Sequence, residues 1–321
     1  MSAAEKPFES SRTYVAATRI DPEPHVLSIT IHAPTRPIRY ESPKALAHSM
    51  LSATVAQAVN DRYRATTGRT LAYHMVGHAM IELKSAGGAE SRYLLTAVSE
   101  SGTGQTNDLM LRQQVGYTIA LVGTRGEIQS YNHVARDIDE SVESDVRAVR
   151  LRFLVSPPAA SRMFDFFAEF ARRGIHERYA LTAYPLDQTG AGCTSLMAAF
   201  LEVAGLLDPE WAARWRVSLR VPEELFGDPE RGIRVPPRKL LFGPRTRRWA
   251  TESEPHRLVA FYDTTAMFDW ANRLATCPVA HLPANAVREG PTEQALARHL
   301  GMPVVTIDLR HVPTPTGPMF R

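Results

Sequence analysis

The sequence predicts a protein of the α+β class, in which a small antiparallel sheet packs against an apolar helix. The chain has 321 residues, of which 44% are hydrophobic, so it can bury a large core without disulfide bonds. Strand-like segments concentrate between residues 71 and 131, and helical spacings of apolar residues dominate after residue 156. No stretch approaches the roughly 18 consecutive apolar residues of a membrane-spanning helix, so we expect no membrane span.

Charge and cysteine content indicate which partners, cellular location and disulfide bonds to expect. The chain carries 37 basic and 34 acidic side chains, and only four of the basic ones are lysine, which leaves 33 arginines. These arginines are scattered and balanced by carboxylates, which indicates a GC-rich coding background and no nucleic-acid partner. No apolar signal core follows the N-terminus, so the protein is cytoplasmic, is exported by a signal-independent route, or has lost a signal. The two cysteines permit one disulfide and require none.

Residues 1–66 are expected to form an N-terminal arm and a helix. Residues 26–31 alternate branched side chains in the manner of a strand, within an extended arm rich in Pro, Ser and Arg. Over residues 43–66, apolar side chains recur every three to four positions and share one helical face: Leu46, Met50, Leu51, Val55 and Val59.

A strand-rich block opens the predicted core, residues 67–275. The branched and aromatic patterns predict strands at residues 71–84, 93–99, 117–122 and 127–131. Gly87-Gly88 would turn the first pair, and the Gly-Thr-Arg-Gly of residues 123–126 would turn the second. The pattern therefore predicts two successive hairpins.

Helices with clear end signals follow the strands. Ser156 precedes two prolines and is a good cap for a helix that stops at Gly174. A strongly apolar helix begins at Cys193 and ends at Gly205, and Asp208 caps a shorter one.

The C-terminal third is expected to wrap around the core. Beyond about residue 220 the chain is punctuated by prolines, with a further helix predicted at residues 260–275. Residues 276–321 are expected to form a small appendage.

Cys193 is the most informative residue, because it follows a glycine-containing loop and opens an apolar helix. The unpaired amides and the positive dipole end of a helix start stabilise a thiolate and lower the pKa of a cysteine. The same amides can bind the oxyanion of a tetrahedral intermediate, so one element would supply both a nucleophile and its oxyanion site. The alternative is a small hydrophobic side chain packed at a helix end.

His78 is the best candidate for a base among the eleven histidines, most of which stand in loops or beside prolines. It follows Gly77 at the start of an apolar strand, where the glycine leaves space for a neighbouring group. A neutral imidazole beside a thiol can remove its proton and later protonate a leaving amine. The alternative is a buried structural histidine.

Together these segments resemble the circularly permuted branch of the papain-like, NlpC-like cysteine amidopeptidases and acyltransferases. The resemblance lies in a strand that opens Gly-His, then hairpins, then a helix that begins Gly-Cys-Thr-Ser, over roughly residues 70–206. In that branch the histidine strand precedes the cysteine helix, and lecithin retinol acyltransferase-like proteins share this order. The resemblance implies a papain-like fold with Cys193 as nucleophile and His78 as base, and a bacterial peptidoglycan-like or short peptide substrate.

The family's third, orienting polar residue usually lies on the strand after the histidine strand. If Gly87-Gly88 is the hairpin centre, positions near Val98 lie opposite His78, and three polar residues are within reach: Thr96, Ser99 and Glu100. Ser99 is the predicted orienting residue, and Glu82, on the same strand face as the histidine, is a further option. None of these is the His, Asn or Gln that such sites commonly use, so a catalytically inactive relative stays open.

Other polar residues are candidates for supporting roles. Gln188, five residues before Cys193, would add a side-chain oxyanion donor as papain's family does from a similar place, or would be a loop glutamine facing water. Asn132-His133 would supply polar atoms if the sheet folds over, or simply end a strand. Cys277 precedes a proline that blocks a continuing helix, so we interpret it as structural.

A zinc site is the competing chemical class. His74, His78 and Glu82 are spaced so that the two histidines would share one face of a helix. The zinc-protease signature places Glu directly after the first His, where this chain has Met75. On a strand, residues four apart lie roughly 13 Å from each other at a rise of ~3.3 Å, too far to bind one ion. We therefore predict no metal and no cofactor.

The sequence thus predicts thiol-dependent hydrolysis of an amide or peptide bond through an acyl-enzyme on Cys193. His78 would act as base, with Ser99 and Gln188 in supporting roles. Acyl transfer would use the same residues. The alternatives are a non-catalytic papain-like binding module and a secreted effector or interaction protein, and the oligomeric state stays open.

Overall fold

The computed structural model describes residues 25–67, 76–86, 91–102, 104–143, 147–277, 285–287 and 301–321. Its strands are β1 (His25–His32), β2 (His78–Ser85), β3 (Arg92–Thr96), β4 (Val98–Glu100), β5 (Thr124–Ile128), β6 (Ala148–Leu154), β7 (Arg178–Tyr179), β8 (Arg216–Pro222), β9 (His256–Tyr262), β10 (Ala286–Val287) and β11 (Val304–Asp308). Its α-helices are α1 (Pro43–Thr67), α2 (Gln105–Asn107), α3 (Ile119–Val122), α4 (Tyr131–Glu143), α5 (Pro157–Arg172), α6 (Cys193–Val203), α7 (Pro209–Trp215), α8 (Pro237–Phe242) and α9 (Thr264–Thr276). The predicted turn at Gly87-Gly88 and the predicted strand residues 71–75 lie outside the described residues.

The main sheet has six described strands in the order β10-β11-β6-β1-β2-β3. Neighbouring strands are antiparallel except β11 and β6, which run parallel. The α+β class is confirmed, whereas the prediction of a wholly antiparallel sheet is wrong. The parallel strand arises because β11 returns to the sheet after a long connection, which a tight hairpin cannot supply.

Strand β1 lies at the centre of this sheet, in a segment whose pattern predicts an extended arm. It pairs with β2 on one side and with β6 on the other. Leu27, Ile29 and Ile31 are buried in the main core, and alternation sends Ser28 and Thr30 to the opposite face. This central strand fixes the position of β2, which carries His78.

Helices α5 and α6 cover the apolar face of the sheet. Ser156 caps α5 and Asp208 caps α7, so the end signals predicted for these helices are confirmed. Phe166 of α5 meets Phe200 of α6 edge to face, with ring centroids 5.4 Å apart. Both rings are fully buried, and this contact holds the helix that begins at Cys193 against its neighbour.

The second predicted hairpin is wrong. The strand predicted at residues 117–122 contains helix α3, and most of the predicted turn lies inside β5. Gly123 has φ 75°, and a Cβ there would lie 2.7 Å from the Cβ of Ala180. A Cβ on Gly126 would overlap the carbonyl of His176. These glycines therefore let β5 approach the segment around β7 closely, and they do not form a hairpin turn.

Two small sheets accompany the main one in the described part of the chain. Strands β4, β5 and β7 form the first, and the strand predicted at residues 93–99 is split between it and the main sheet at Ala97. Strands β8 and β9 form the second, within the segment expected to wrap the core, and share a core with α1 and α8.

Among the helices described here, none has the length and apolar character needed to cross a bilayer.

Candidate active site

Cys193 is the first residue of α6, as the pattern predicts. Gly192 precedes it in an extended conformation, and its N–H donates to Ser195 Oγ at 2.8 Å. Thr194 Oγ1 donates to the carbonyl of Tyr262, at the end of β9, also at 2.8 Å. These bonds fix the first helical turn, so the thiol lies in one position at the positive end of the helix dipole.

His78 is the first residue of β2, and the residue before it, Gly77, has a backbone conformation and close neighbours that suit glycine. Gly77 has φ 79°, and a Cβ there would lie 3.0 Å from both His32 O and the Cβ of Thr264. In the sheet register His78 lies directly opposite His32. Burial and the charge of His78 lower the pKa of His32 to about 3, so His32 stays neutral beside it.

The side chains of His78 and Cys193 are hydrogen bonded to each other. Burial opposes ionisation of the thiol, but the hydrogen bond and positive charge of His78 lower the pKa of Cys193 below its ordinary value. Burial also disfavours the imidazolium, yet the hydrogen bond and negative charge of Cys193 raise the pKa of His78. Both shifts favour a thiolate beside an imidazolium, the reactive form of such a pair.

Gln129 orients the imidazole, a role predicted for Ser99. His78 Nε2 donates to Gln129 Oε1 at 3.2 Å, between two buried side chains. The backbone N–H of Gln129 donates to Ala97 O at 2.9 Å, which fixes the residue directly after β5. With Nε2 engaged by the amide, Nδ1 is the nitrogen left for the thiol. Glutamine is one of the residue types that the resemblance implies at the orienting position. That residue type was the one feature of the sequence that could have pointed to Gln129.

Ser99 does not lie beside His78 because the chain changes sheets before it. The register of β2 with β3 pairs Ile81 with Thr96, so a continued strand would place Ser99 opposite His78. The main-sheet strand instead ends at Thr96, and the next strand, β4, pairs with β5. Gln129 therefore reaches the imidazole from the end of β5.

The other residues considered for the orienting role have structural partners or face elsewhere. Glu100 accepts hydrogen bonds from the N–H and the hydroxyl of Thr106, at 3.0 and 2.6 Å. Glu82 forms a buried ion pair with Arg150. Thr96 shares a sheet face with its partner Ile81, which belongs to the main core, and alternation puts His78 on the other face.

Gln188, the predicted oxyanion donor, forms its side-chain hydrogen bonds with two arginines on the exposed side of its loop. Its Oε1 accepts from Arg173 Nη1 at 2.7 Å, and its Nε2 donates to Arg321 O at 3.0 Å. The residue is exposed and has φ 56°, which turns the chain. Its amide therefore supports the loop and does not face Cys193.

Tyr179, at the end of β7, contacts Cys193 directly. Its hydroxyl is hydrogen bonded to the sulfur, and the backbone N–H of Ala79 donates to the same atom. The negative charge of Cys193 and burial raise the pKa of Tyr179 well above its ordinary value, so the hydroxyl stays protonated and donates. Nothing in the sequence pattern, which indicates only a short extended segment, pointed to this contact.

Asp137 of α4 adds a negative charge near the imidazole. Its Oδ2 lies 3.4 Å from His133 Nε2, one helical turn away. Burial raises the pKa of Asp137, while the positive charges of His133 and His78 act in the other direction. The charge of Asp137 also contributes to the raised pKa of His78, so it favours the imidazolium.

The site is buried beneath the surface. Cys193, His78 and Gln129 each have 8% of their surface exposed. Within the described ranges, no three His, Cys, Asp or Glu side chains are grouped as metal ligands. His74, from the alternative zinc set, lies outside those ranges, and Glu82 is held by its ion pair.

Replacing Gln129 by alanine is expected to lower the rate of Cys193 acylation by about 10- to 100-fold, because the imidazole loses the group that orients it. The measurement is the burst of p-nitrophenol released from p-nitrophenyl acetate. Gln113→Ala, which removes an exposed 2.7 Å hydrogen bond to Asp108, is the matched control and should leave the burst unchanged. A wild-type burst from Gln129→Ala would contradict the orienting role.

The described side chains place a thiol at a helix start, an imidazole beside it, an amide on the imidazole and a hydroxyl on the sulfur. Such a group can add sulfur to a carbonyl carbon and pass a proton to a leaving group. Comparisons of this chain with protein-family models, with curated proteins and with solved structures found no match.

Proposed function

We propose that this protein is a thiol-dependent hydrolase that cleaves amide or peptide bonds through an acyl-enzyme on Cys193. The observation that carries the proposal is the contact between Cys193 and His78, with the pKa of each shifted toward the ion pair. The chain order, histidine strand before cysteine helix, supports a circularly permuted papain-like core. Gln129 supplies an amide at the orienting position, a residue type that this resemblance implies.

In the proposed reaction the Cys193 thiolate attacks the carbonyl carbon of the substrate and forms a carbon–sulfur bond. The carbonyl electron pair moves to oxygen and returns as the carbon–nitrogen bond breaks. His78 passes its Nδ1 proton to the leaving amine, which leaves a thioester on the enzyme. Water then attacks the thioester carbonyl, His78 takes a proton from it, and the carbon–sulfur bond breaks. The acid product departs and the ion pair is restored.

We assign the oxyanion to two donors beside the Cys193 sulfur. The backbone N–H of Cys193 is the first amide of α6, and it donates to the hydroxyl oxygen of Tyr179. The Tyr179 hydroxyl already lies on the sulfur and keeps its proton. Donors fixed before the reaction stabilise the developing charge without reorganisation, so Tyr179 is assigned the side-chain role predicted for Gln188.

Replacing Tyr179 by phenylalanine is expected to lower kcat by about 10²- to 10³-fold, the usual effect of removing one oxyanion donor. The measurement is turnover of p-nitrophenyl acetate at saturating ester. Tyr93→Phe is the control, because it removes a 2.8 Å hydrogen bond to Glu82 on another strand and should leave kcat unchanged. Equal turnover by Tyr179→Phe and the wild type would exclude this hydroxyl from the oxyanion site.

The substrate class in the proposal is a peptide, either a peptidoglycan stem peptide or a short linear one. The test incubates the full chain with purified peptidoglycan stem peptides and with short peptides, then identifies products and acid-trapped acyl adducts by mass spectrometry. We expect products that gain one water and an adduct on the peptide that contains Cys193.

Different results would redirect the proposal. Products that carry an amine or alcohol acceptor in place of water would assign acyl transfer to the same residues. Stem peptides that bind but stay intact, with no adduct on Cys193, would contradict hydrolysis and favour a catalytically inactive binding module.

A further inference from the structure

Residues 184–192 form the loop that leads into Cys193. Two of its residues adopt left-handed conformations, Gln188 with φ 56° and Gly190 with φ 116°. Thr189 Oγ1 accepts a hydrogen bond from the N–H of Tyr184 at 2.9 Å, and Arg178 donates to the carbonyl of Thr189. The thiol follows this turn directly, so its position depends on how the loop is held.

Arg321 binds this loop at three consecutive residues. Its N–H donates to Leu186 O at 2.8 Å, its carbonyl accepts from Gln188 Nε2 at 3.0 Å, and its guanidinium pairs with Asp187 at 3.0 Å. The same guanidinium pairs with Glu202, near the end of α6. Arg321 thus joins the loop before the nucleophile to the helix that follows it.

Residues 315–321, called the strap segment here, have further anchors on the helices. Arg162 of α5 donates to Gly317 O at 2.6 Å. The ring of Phe320 lies 5.6 Å, between centroids, from that of Phe166, which is fully buried in the main core. These contacts set the path of the strap segment, so removing the Arg321 side chain alone leaves the segment docked.

We propose that the strap segment is a positioning device for the catalytic pair, with Arg321 as its clamp on residues 184–192. Held in this way, the loop delivers the Cys193 thiol to His78 and Tyr179. The effect on hydrolysis rests on the proposed function, whereas the effect on thiol reactivity is measurable without a substrate. Arg321 is therefore a positioning residue that acts through Cys193.

The chemistry of the clamp suits arginine. A planar guanidinium with several N–H donors can pair with two carboxylates at once, here those of Asp187 and Glu202. A lysine ammonium is a point charge and cannot reproduce that geometry. The Arg321 side chain is largely exposed, and exposed ion pairs add little to global stability. Its loss is therefore expected to change loop geometry more than the unfolding temperature.

The test is the rate of Cys193 alkylation by iodoacetamide from about pH 5 to 9, with peptide mapping to separate Cys193 from Cys277. Arg321→Ala is expected to slow alkylation near pH 7 by about tenfold and to move the pH profile toward that of an ordinary thiol. Arg321→Lys should recover only part of the rate. Arg214→Ala, which breaks an exposed 2.5 Å pair with Glu210 on α7, is the control and should match the wild type.

Thermal unfolding of the same variants separates positioning from stability. The proposal expects Arg321→Ala to keep the wild-type unfolding temperature while its alkylation profile shifts, and Phe320→Ala to shift the profile in the same direction. One outcome would overturn the strap proposal alone. In it, the alkylation profile of the wild type shows a Cys193 pKa below that of an ordinary thiol, and Arg321→Ala gives the same profile. A wild-type profile that already matches an ordinary thiol would overturn the ion pair, and with it the proposed function.

Discussion

Replacing Cys193 by alanine is expected to abolish turnover, lowering kcat by about 10⁴- to 10⁶-fold, as removal of a protease nucleophile does. The proposed reaction has no other atom that can form the acyl-enzyme. The imidazole of His78 would remain, but without the thiolate it loses the charge that raises its pKa. The measurement is the steady-state release of p-nitrophenol, followed by a search for the acyl adduct by mass spectrometry.

Cys277 supplies the matched control for this prediction. It follows the end of α9, where its Sγ donates to the carbonyl of Leu274 at 3.6 Å. Cys277→Ala should keep both turnover and the adduct on Cys193. Residual turnover by Cys193→Ala within tenfold of the wild type would contradict the nucleophile assignment, since the reaction would then proceed through another group.

Replacing Glu82 by alanine is expected to destabilise the protein by about 3–5 kcal/mol, the usual cost of leaving a buried charge without its partner. Arg150 and Glu82 form an ion pair in which the side chains are only 5% and 9% exposed. Arg150 Nη1 also donates to Thr30 Oγ1 at 3.2 Å, and Tyr93 OH donates to Glu82 Oε1 at 2.8 Å. Among the described residues, loss of the carboxylate leaves the guanidinium with one neutral side-chain partner, Thr30. The measurement is the free energy of unfolding in urea.

Two variants check the cause of that loss. Glu41→Ala removes an ion pair with Arg39 that is exposed to solvent, so it should leave the free energy of unfolding nearly unchanged. The double variant Glu82→Leu/Arg150→Met removes both charges and should recover much of the stability. A loss under about 1 kcal/mol for Glu82→Ala would show that the pair is not a structural element of the sheet.

The helix starts were predictable from the sequence because their signals are local. Ser156 and Asp208 cap their helices through bonds to amides two or three residues away. The glycine-containing loop before Cys193 and the apolar pattern after it placed this residue at the start of a helix, and it is the first residue of α6. Side chains that act within one helical turn can be identified without knowledge of the tertiary fold.

The orienting residue was not predictable in this way because its position depends on a change of sheet. The strand register alone would bring Ser99 to His78, but the chain leaves the main sheet after Thr96. The glycines at 123 and 126, which have the composition of a turn, instead allow close packing of β5. That packing carries Gln129 to the imidazole.

The remaining contacts of the site are long-range and left no periodic signal. Tyr179 reaches Cys193 from a two-residue strand, and Arg321 reaches residues 186–188 from far along the chain. Both depend on how separate segments pack together. Spacing patterns describe one segment at a time, so they give no information about such contacts.

The most direct test of the account is the pH profile of Cys193 alkylation in the wild type and in His78→Ala. His78 lowers the pKa of Cys193, so the midpoint of the wild-type rate profile should lie below the usual thiol pKa of about 8.5. Without the imidazolium, the hydrogen bonds from Ala79 and Tyr179 are left to oppose the effect of burial on the thiol, so the His78→Ala profile should move to higher pH. Superimposable profiles from the two proteins would contradict the ion pair on which the whole account depends.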